Sequence, residues 1–191
     1  CMMKRLLILA ILILSSCSPM VQTPTALPAR LAALKQAGRL RIATAITRPF
    51  EYHDERTNAL VGFDVDVAQA IAQRLGVSIE WKEMEFAALL PTLQSGQADM
   101  VIAAMYITPQ RQELVDFSEP YLDTGLVVVV RADETSIGGV NDLDGKIIGV
   151  KEGATGARYA ARMQAEGTPI TIRKYLETLD SLEELEKGYV D

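Results

Sequence analysis

From residue 38 onward, short apolar strands alternate with amphipathic helical segments, and that alternation leaves few folds open. Leu40 to Thr44 alternates Leu and Ile with Arg and Ala, the period-two pattern of a strand. Phe63 to Leu75 predicts a helix: Val65, Val67, Ala68, Ile71, Ala72 and Leu75 form its apolar stripe. Asp64 is its expected N-cap and Gly76 its stop. Val77 to Trp81 predicts a second strand, with Trp81 in the core, and Glu85 to Gln94 a second helix ended by Ser95-Gly96. Met100 to Met105 is nearly continuous apolar, as a strand covered on both faces would be. Strands that alternate with helices imply a mainly parallel sheet, and so an α/β fold.

Leu126 to Val130, a Leu followed by four valines, predicts another buried strand. Turn residues at 137–139 and 141–145 follow, and then the alternation restarts. The second set comprises a strand at Ile147 to Val150, a helix from Thr155 to Gln164, a strand at Ile170 to Lys174 and a helix near Ser181 to Lys187. A restart of this kind predicts two lobes, residues 38–125 and 126–191, with the chain crossing between them near 120–130.

The N-terminal segment sets the compartment. Lys4 and Arg5 precede an unbroken apolar run, Leu6 to Leu14, and Ser15, Ser16 and Cys17 follow at once. A charged start, a short apolar core and small residues before a cut site read as a secretory signal peptide over residues 1–16. The run is shorter than the roughly 18 apolar residues a spanning helix needs. Leu14-Ser15-Ser16-Cys17 resembles a bacterial lipobox, which implies lipidation of Cys17 and attachment to a membrane by acyl chains. Residues 17–37 then form a tether, with Pro19, Pro24 and Pro28, and a short helix with Leu31, Leu34 and Ala37 on one face. The expected location is extracytoplasmic, in the periplasm or on the outer face of the cell membrane. Cys1 lies before the expected start at Met2 or Met3, so the mature domain is expected to hold no disulfide. The chain begins with Cys and stops at Asp191 inside an expected element, and the sequence is therefore expected to be a piece of a longer reading frame.

Charge narrows the partners. The net charge of −6 becomes −8 without residues 1–16, which carry two basic residues and no acid. That balance argues against nucleic acid as a partner. His53, the single histidine, sits among Glu51, Asp54 and Glu55 and reads as a solvated loop rather than a metal site. Glu183 to Lys187 reads as a solvated helix face. No nucleophile elbow, phosphate loop or metal motif is present, and no catalytic residue is assigned.

Several motifs, in order, resemble the bacterial extracellular solute-binding proteins of the polar amino-acid family, family 3. They are Gly38-Arg39-Leu40-Arg41-Ile42-Ala43-Thr44, Pro49-Phe50-Glu51-Tyr52, Gly62-Phe63-Asp64-Val65-Asp66 and Leu90-Pro91-Thr92-Leu93-Gln94-Ser95-Gly96. Asp99, Ile107-Thr108-Pro109-Gln110-Arg111, Asp116-Phe117-Ser118-Glu119-Pro120-Tyr121 and Asp142-Leu143-Asp144-Gly145-Lys146 continue the series. The resemblance implies a two-lobed periplasmic-binding-protein type II fold that closes on a ligand in its cleft. It also implies a polar amino acid as ligand, the membrane subunits of an ABC importer as partner, a monomer, and no cofactor.

The same resemblance assigns the ligand contacts. Arg111, in the Thr-Pro-x-Arg motif, would clamp the α-carboxylate bidentately. Ala154 and Thr155, in the turn Gly153-Ala154-Thr155-Gly156 before a helix, would meet the same carboxylate with helix-start amides. Phe63 would pack over the ligand's aliphatic part, with a hydrophobic staple onto its own helix as the competing role. Ala103, Ala104 and Tyr106 would face the ammonium, and Lys151 and Thr47 the ligand side chain. The segment Ala45-Ile46-Thr47-Arg48 lacks the acid and the second stacking aromatic common in relatives, while Arg48 and Lys151 favour an acidic or amide ligand. The family's ammonium-binding Asp is expected about five residues past Asp191, which itself matches a structural Asp. Two alternatives stay open: an enzyme resembling cyclohexadienyl dehydratases, and the ligand-sensing domain of a longer protein.

Overall fold

The computed structural model describes residues 27–191; the expected signal peptide, Cys17 and most of the tether lie outside the described residues. The first helix, α1 (Leu27–Ala37), ends at Gly38, whose amide donates to the carbonyls of Leu34 and Lys35. Strand β1 (Arg39–Thr44) follows, buried along most of its length. A small antiparallel hairpin, β2 (Tyr52–His53) and β3 (Leu60–Val61), leads into α2 (Phe63–Leu75) and then β4 (Ser78–Glu83). Next come a 3-10 turn at Phe86–Ala88, α3 (Leu89–Gln94) and the short β5 (Met100–Val101). β1 lies between β4 and β5, and both pairings are parallel.

The packing explains this order. Val65, Ala68 and Ala72 of α2 are buried, and Ala68 meets Leu40, Ile42 and Ile102 in the core between helix and sheet. Trp81 packs against that cluster, as expected of a strand residue on the covered face. On the other face Ala43, Ala45, Phe86, Leu89, Ala98 and Ala103 form a second cluster. Each fully buried Leu or Ile contributes about 1.5–3 kcal/mol. Gly62 opens α2 because a Cβ there, at φ 131°, would strike the backbone of Phe50. The hairpin is thereby pressed onto the start of the helix.

A second α/β set begins with β6 (Ile147–Lys151), α5 (Thr155–Ala165), β7 (Thr171–Tyr175) and α6 (Thr178–Glu186). β6 and β7 pair in parallel, and Ile137, Leu143, Val150, Ala157, Ala160 and Ile170 form their core. Asp191 returns to this sheet, its Oδ2 accepting from the Ile147 amide at 2.8 Å, in line with the structural role expected of it. Between the two sets, α4 (Pro109–Gln112) is a single turn, with Thr108 as its cap accepting from the Arg111 amide.

Several sequence expectations are corrected. Leu126 to Val130 forms no strand, and Leu126 to Val129 are exposed, Val127 at 81%. The run is apolar enough for a buried strand, but no neighbouring strand of the described residues pairs with it, and a strand exists only by pairing. The expected strand at 100–105 ends at Val101, and Ala104, with a left-handed φ of 46°, bars it from reaching Met105. The helix expected over 85–94 is a 3-10 turn followed by α3. Asp64 is not the N-cap: Gly62 holds that position, and Asp64 is buried in the first turn with its carboxylate engaged elsewhere. His53 lies on β2 rather than in a loop, where its Nε2 meets Glu83 Oε2 at 2.7 Å. That hydrogen bond raises the pKa of the imidazole.

Candidate functional site

Thr108 sets the position of Arg111. With Thr108 extended and Pro109 at the first helical position, one turn of helix forms and carries Arg111 inward. The Arg111 side chain is 1% exposed. Its Nη1 donates to the Tyr106 carbonyl at 2.7 Å and to Thr155 Oγ1 at 3.3 Å, and its Nη2 to the Gly153 carbonyl at 3.2 Å. Its guanidinium lies 5.5 Å from the Phe86 ring centroid. Among the described residues no carboxylate pairs with it. Burial, and secondarily Arg158, pull its pKa down to about 10, so it stays charged at neutral pH. Ringed by neutral acceptors, this buried cation has no countercharge among the described residues, and an anion would supply one.

Thr155 opens α5, and Ala154 is its N-cap without a side-chain hydrogen bond, so no side chain caps the first-turn amides. Their partial positive charge adds to that of Arg111. Gly153 makes the approach possible: at φ 74°, a Cβ would lie 3.0 Å from Ala87. Ala154 in turn packs on the cluster around Phe86.

Lys151, at the end of β6, reaches the opposite way. Its Nζ donates to the Ile46 carbonyl at 2.6 Å, to Thr47 Oγ1 at 3.1 Å and to Glu177 Oε2 at 3.0 Å. It lies 5.6 Å from the centroid of the same Phe86 ring. Arg111, Tyr106, Thr155, Ala154, Lys151 and Thr47 therefore meet along one seam.

Phe63 and Ala104 stand beside a separate group. Asp64 accepts from the Ala104 amide at 2.6 Å and from the Tyr121 hydroxyl at 3.0 Å. Burial and the Asp64 charge push the Tyr121 phenol pKa up. Phe63 is half-exposed, stacked on Tyr121 at 6.0 Å and edge-on to Phe50 at 6.3 Å. Phe50, Ala104, Tyr106, Phe117 and Tyr121 are among the walls of a cleft of about 210 Å³. Tyr106 joins the two groups: its carbonyl accepts from Arg111 and the residue lines this cleft. Ala103 is buried beneath, in the core around Phe86. Arg48 takes no part: it pairs with Glu55 at 3.2 Å and covers the Tyr52 ring, so its expected influence on the ligand is withdrawn.

The profile of the bacterial extracellular solute-binding proteins, family 3, matches residues 40–188. The chain belongs to this family. A probable amino-acid-binding protein of Bacillus subtilis (strain 168), YxeM, is 32% identical over 151 residues, which is 78% of this chain and 55% of that protein. The arginine-binding extracellular protein ArtP of the same organism is 39% identical over 107 residues, 56% of this chain and 41% of ArtP. Among solved structures, an ancestral arginine-binding protein bound to arginine is similar at 41% identity and a TM-score of 0.77, over 81% of this chain and 68% of that one. The chain spans about half the length of the curated relatives it matches. The fold of this family 3 chain is the two-lobed one of periplasmic binding proteins.

Sequence reasoning overlooked four residues of the region. Phe86 belongs to no motif, and nothing local marks a ring that will lie beside two cations. Glu177 is one acid among many and becomes notable only through Lys151. Asp64 and Glu51 lie in motifs that carry the resemblance, but their burial is a tertiary fact. Glu51 is fully buried with neither carboxyl oxygen hydrogen-bonded. Burial and the adjacent Asp64 push its pKa up to about 9, which makes it neutral at pH 7. Among the described residues no group of three His, Cys, Asp or Glu side chains is arranged to hold a metal, and no helix is long and apolar enough to cross a membrane.

Proposed function

We propose that this chain belongs to an extracytoplasmic protein that captures a polar amino acid between its lobes and delivers it to an ABC importer. The observation that carries the proposal is Arg111: a buried guanidinium without an acid partner among the described residues, facing the uncapped start of α5 across the seam. An α-carboxylate supplies the missing charge and touches both sides at once, so binding energy is spent on holding the lobes together. The tyrosine and alanine backbone at 103–106 would take the ammonium, with Thr47 and Lys151 toward the ligand side chain. The relatives named for amino-acid or arginine binding support the ligand class. Lipidation at Cys17 would keep the protein at the membrane, beside the importer subunits.

The test is a thermal-shift screen of the full-length protein without its leader against the L-amino acids and prephenate. Ligand at about 100 times its Kd adds roughly 2.7 kcal/mol and raises Tm by about 2–4 °C. A shift with one or a few amino acids is the expected result. A folded protein that shifts with none of them, or that turns over prephenate, defeats the proposal.

A further inference from the structure

We propose that Glu51 is a positioning residue for the cleft: the proton on its buried carboxyl lets Asp64 keep hold of Ala104 and Tyr121, and loss of that proton loosens the wall they form. The consequence for ligand affinity rests on the amino-acid-binding reading above; the state of the wall does not. Asp64 sits in the first turn of α2, where its backbone amide donates to the Phe50 carbonyl at 2.9 Å. Its carboxylate gathers two distant segments. Oδ2 accepts from the Ala104 amide at 2.6 Å, and both oxygens lie 3.0 Å from the Tyr121 hydroxyl. Ala104 and Tyr121 both line the cleft of about 210 Å³, and Tyr121 stacks on Phe63 beside it. One buried carboxylate therefore ties this side of the cleft together.

Glu51 stands beside that carboxylate with no donor of its own. Its backbone is fixed by a two-way bridge to Thr47, at 3.1 Å from its amide and 2.8 Å to its carbonyl. Both of its carboxyl oxygens are buried without a hydrogen-bond partner. Two neighbouring carboxyl groups in a dry interior do not both ionise, and donors decide which one does. Asp64 receives an amide and a hydroxyl and Glu51 receives neither, so the charge settles on Asp64 and the proton on Glu51. The titratable groups facing Glu51 are Asp64 of α2, Tyr121 of the segment after α4, and Lys151 of β6. Lys151 and the Thr47 hydroxyl favour the ionised form, but burial and then Asp64 outweigh them and push the pKa up to about 9. Ionisation sends the proton to solvent and leaves two like charges buried side by side. Asp64 cannot retreat from Glu51 without giving up the Ala104 amide or the Tyr121 hydroxyl.

The test is a pH titration of the full-length protein without its leader, isotopically labelled and followed by NMR without ligand, on wild type and Glu51→Gln. One carboxyl resonance of wild type is expected to titrate with a midpoint of about 9, and the Ala104 amide resonance to move with it. Both movements should be missing from Glu51→Gln, whose carboxamide keeps a donor toward Asp64 and cannot ionise. Calorimetry with L-arginine and L-glutamine, near pH 8 and near pH 10, gives the functional arm. The ligand's own ammonium titrates in this range, so the quantity read is the ratio of wild-type Kd to variant Kd. That ratio should rise about tenfold between the two pH values, as the fraction of wild type with a protonated Glu51 falls. If no carboxyl titrates above about pH 7, Glu51 is already ionised and the proposal is overturned. An Ala104 amide that stays still while Glu51 titrates overturns it too, as does unfolding of the whole chain in place of a change confined to the wall. A flat Kd ratio removes the positioning role, because the wall then moves without consequence for the ligand. The NMR arm on wild type decides the proposal even if the variant fails to fold. If no amino acid binds to folded wild type, the reading above falls, and the same NMR arm still decides whether Glu51 holds the wall.

Discussion

Two buried cations cross the seam in opposite directions, and they are held differently. Arg111 leaves the first lobe and ends on a hydroxyl and a carbonyl of the α5 turn; Lys151 leaves β6 and ends on a hydroxyl and a carbonyl of residues 46–47. Both sit against Phe86. Only Lys151 has a carboxylate, Glu177. The two look alike in burial and in hydrogen bonding, yet one charge is answered and the other is not. The unanswered one is where the proposed ligand's carboxylate would bind, because burying a cation without an anion is costly and an anion from outside would offset that cost.

The largest expected effect tests that contrast directly. Arg111→Ala should weaken amino-acid binding by about 2–5 kcal/mol, since the ligand's carboxylate would be buried without its charged partner. Its effect on the stability of the ligand-free protein should be much smaller. Titration calorimetry and thermal unfolding on the same sample separate the two quantities. Equal losses in both would mean that Arg111 is a structural cation like Lys151, and the contrast would fail.

Glu51 bears on the same contrast, because an ionised Glu51 would supply a second anion near Lys151. Its pKa, pushed up from 4.5 to about 9, keeps a proton on the folded chain where the unfolded chain has lost it. Stability therefore falls as pH rises from about 4.5 through about 9. Glu51→Gln has no such slope. The variant should match wild type near pH 4.5 and exceed it increasingly toward pH 9, by about 3 kcal/mol at pH 7. Denaturant titrations at several pH values check this, and parallel curves for the two proteins would show that Glu51 is ionised and the charge accounting of the seam is wrong. Lys151→Met, smaller again, should cost about 1–2 kcal/mol of stability; Glu177 is partly exposed and water softens the loss of its partner.

Much of the fold and half of the candidate site were legible in the sequence, for identifiable reasons. Leu40, Val65, Ala68, Val150 and Ala157 sit on periodic patterns, and periodicity reports which face is covered. Arg111 and Thr155 were legible through motif order, and the structure brings them within 3.3 Å of each other. The failures share a cause. Leu126 to Val130 satisfied every local rule for a buried strand, but pairing depends on a neighbour and not on the run itself. Glu51, Asp64 and Glu177 are ordinary acids in the sequence, and their burial or pairing arises from residues 13 to 57 positions away or across the seam. Local signals specify elements; the polar contacts that give a site its charge depend on how distant segments meet.

The smallest expected effect concerns Ala104, which separates strain from support. A left-handed φ of 46° is unfavourable for alanine, and the conformation is held by its amide donating to Asp64 at 2.6 Å. Glycine adopts it without that steric cost, so Ala104→Gly should stabilise the protein by about 0.5–1 kcal/mol, after allowance for the freer unfolded chain. The same freedom should loosen the backbone at 103–106 that is proposed to take the ligand's ammonium, and weaken binding a few-fold. Stability gained together with affinity lost would mean that the strain aims the carbonyls of the cleft. Stability gained with affinity unchanged would leave the strain as a consequence of the Asp64 contact alone. The ammonium would then have to be held elsewhere, and Arg111 with α5 would be the better-supported half of the site.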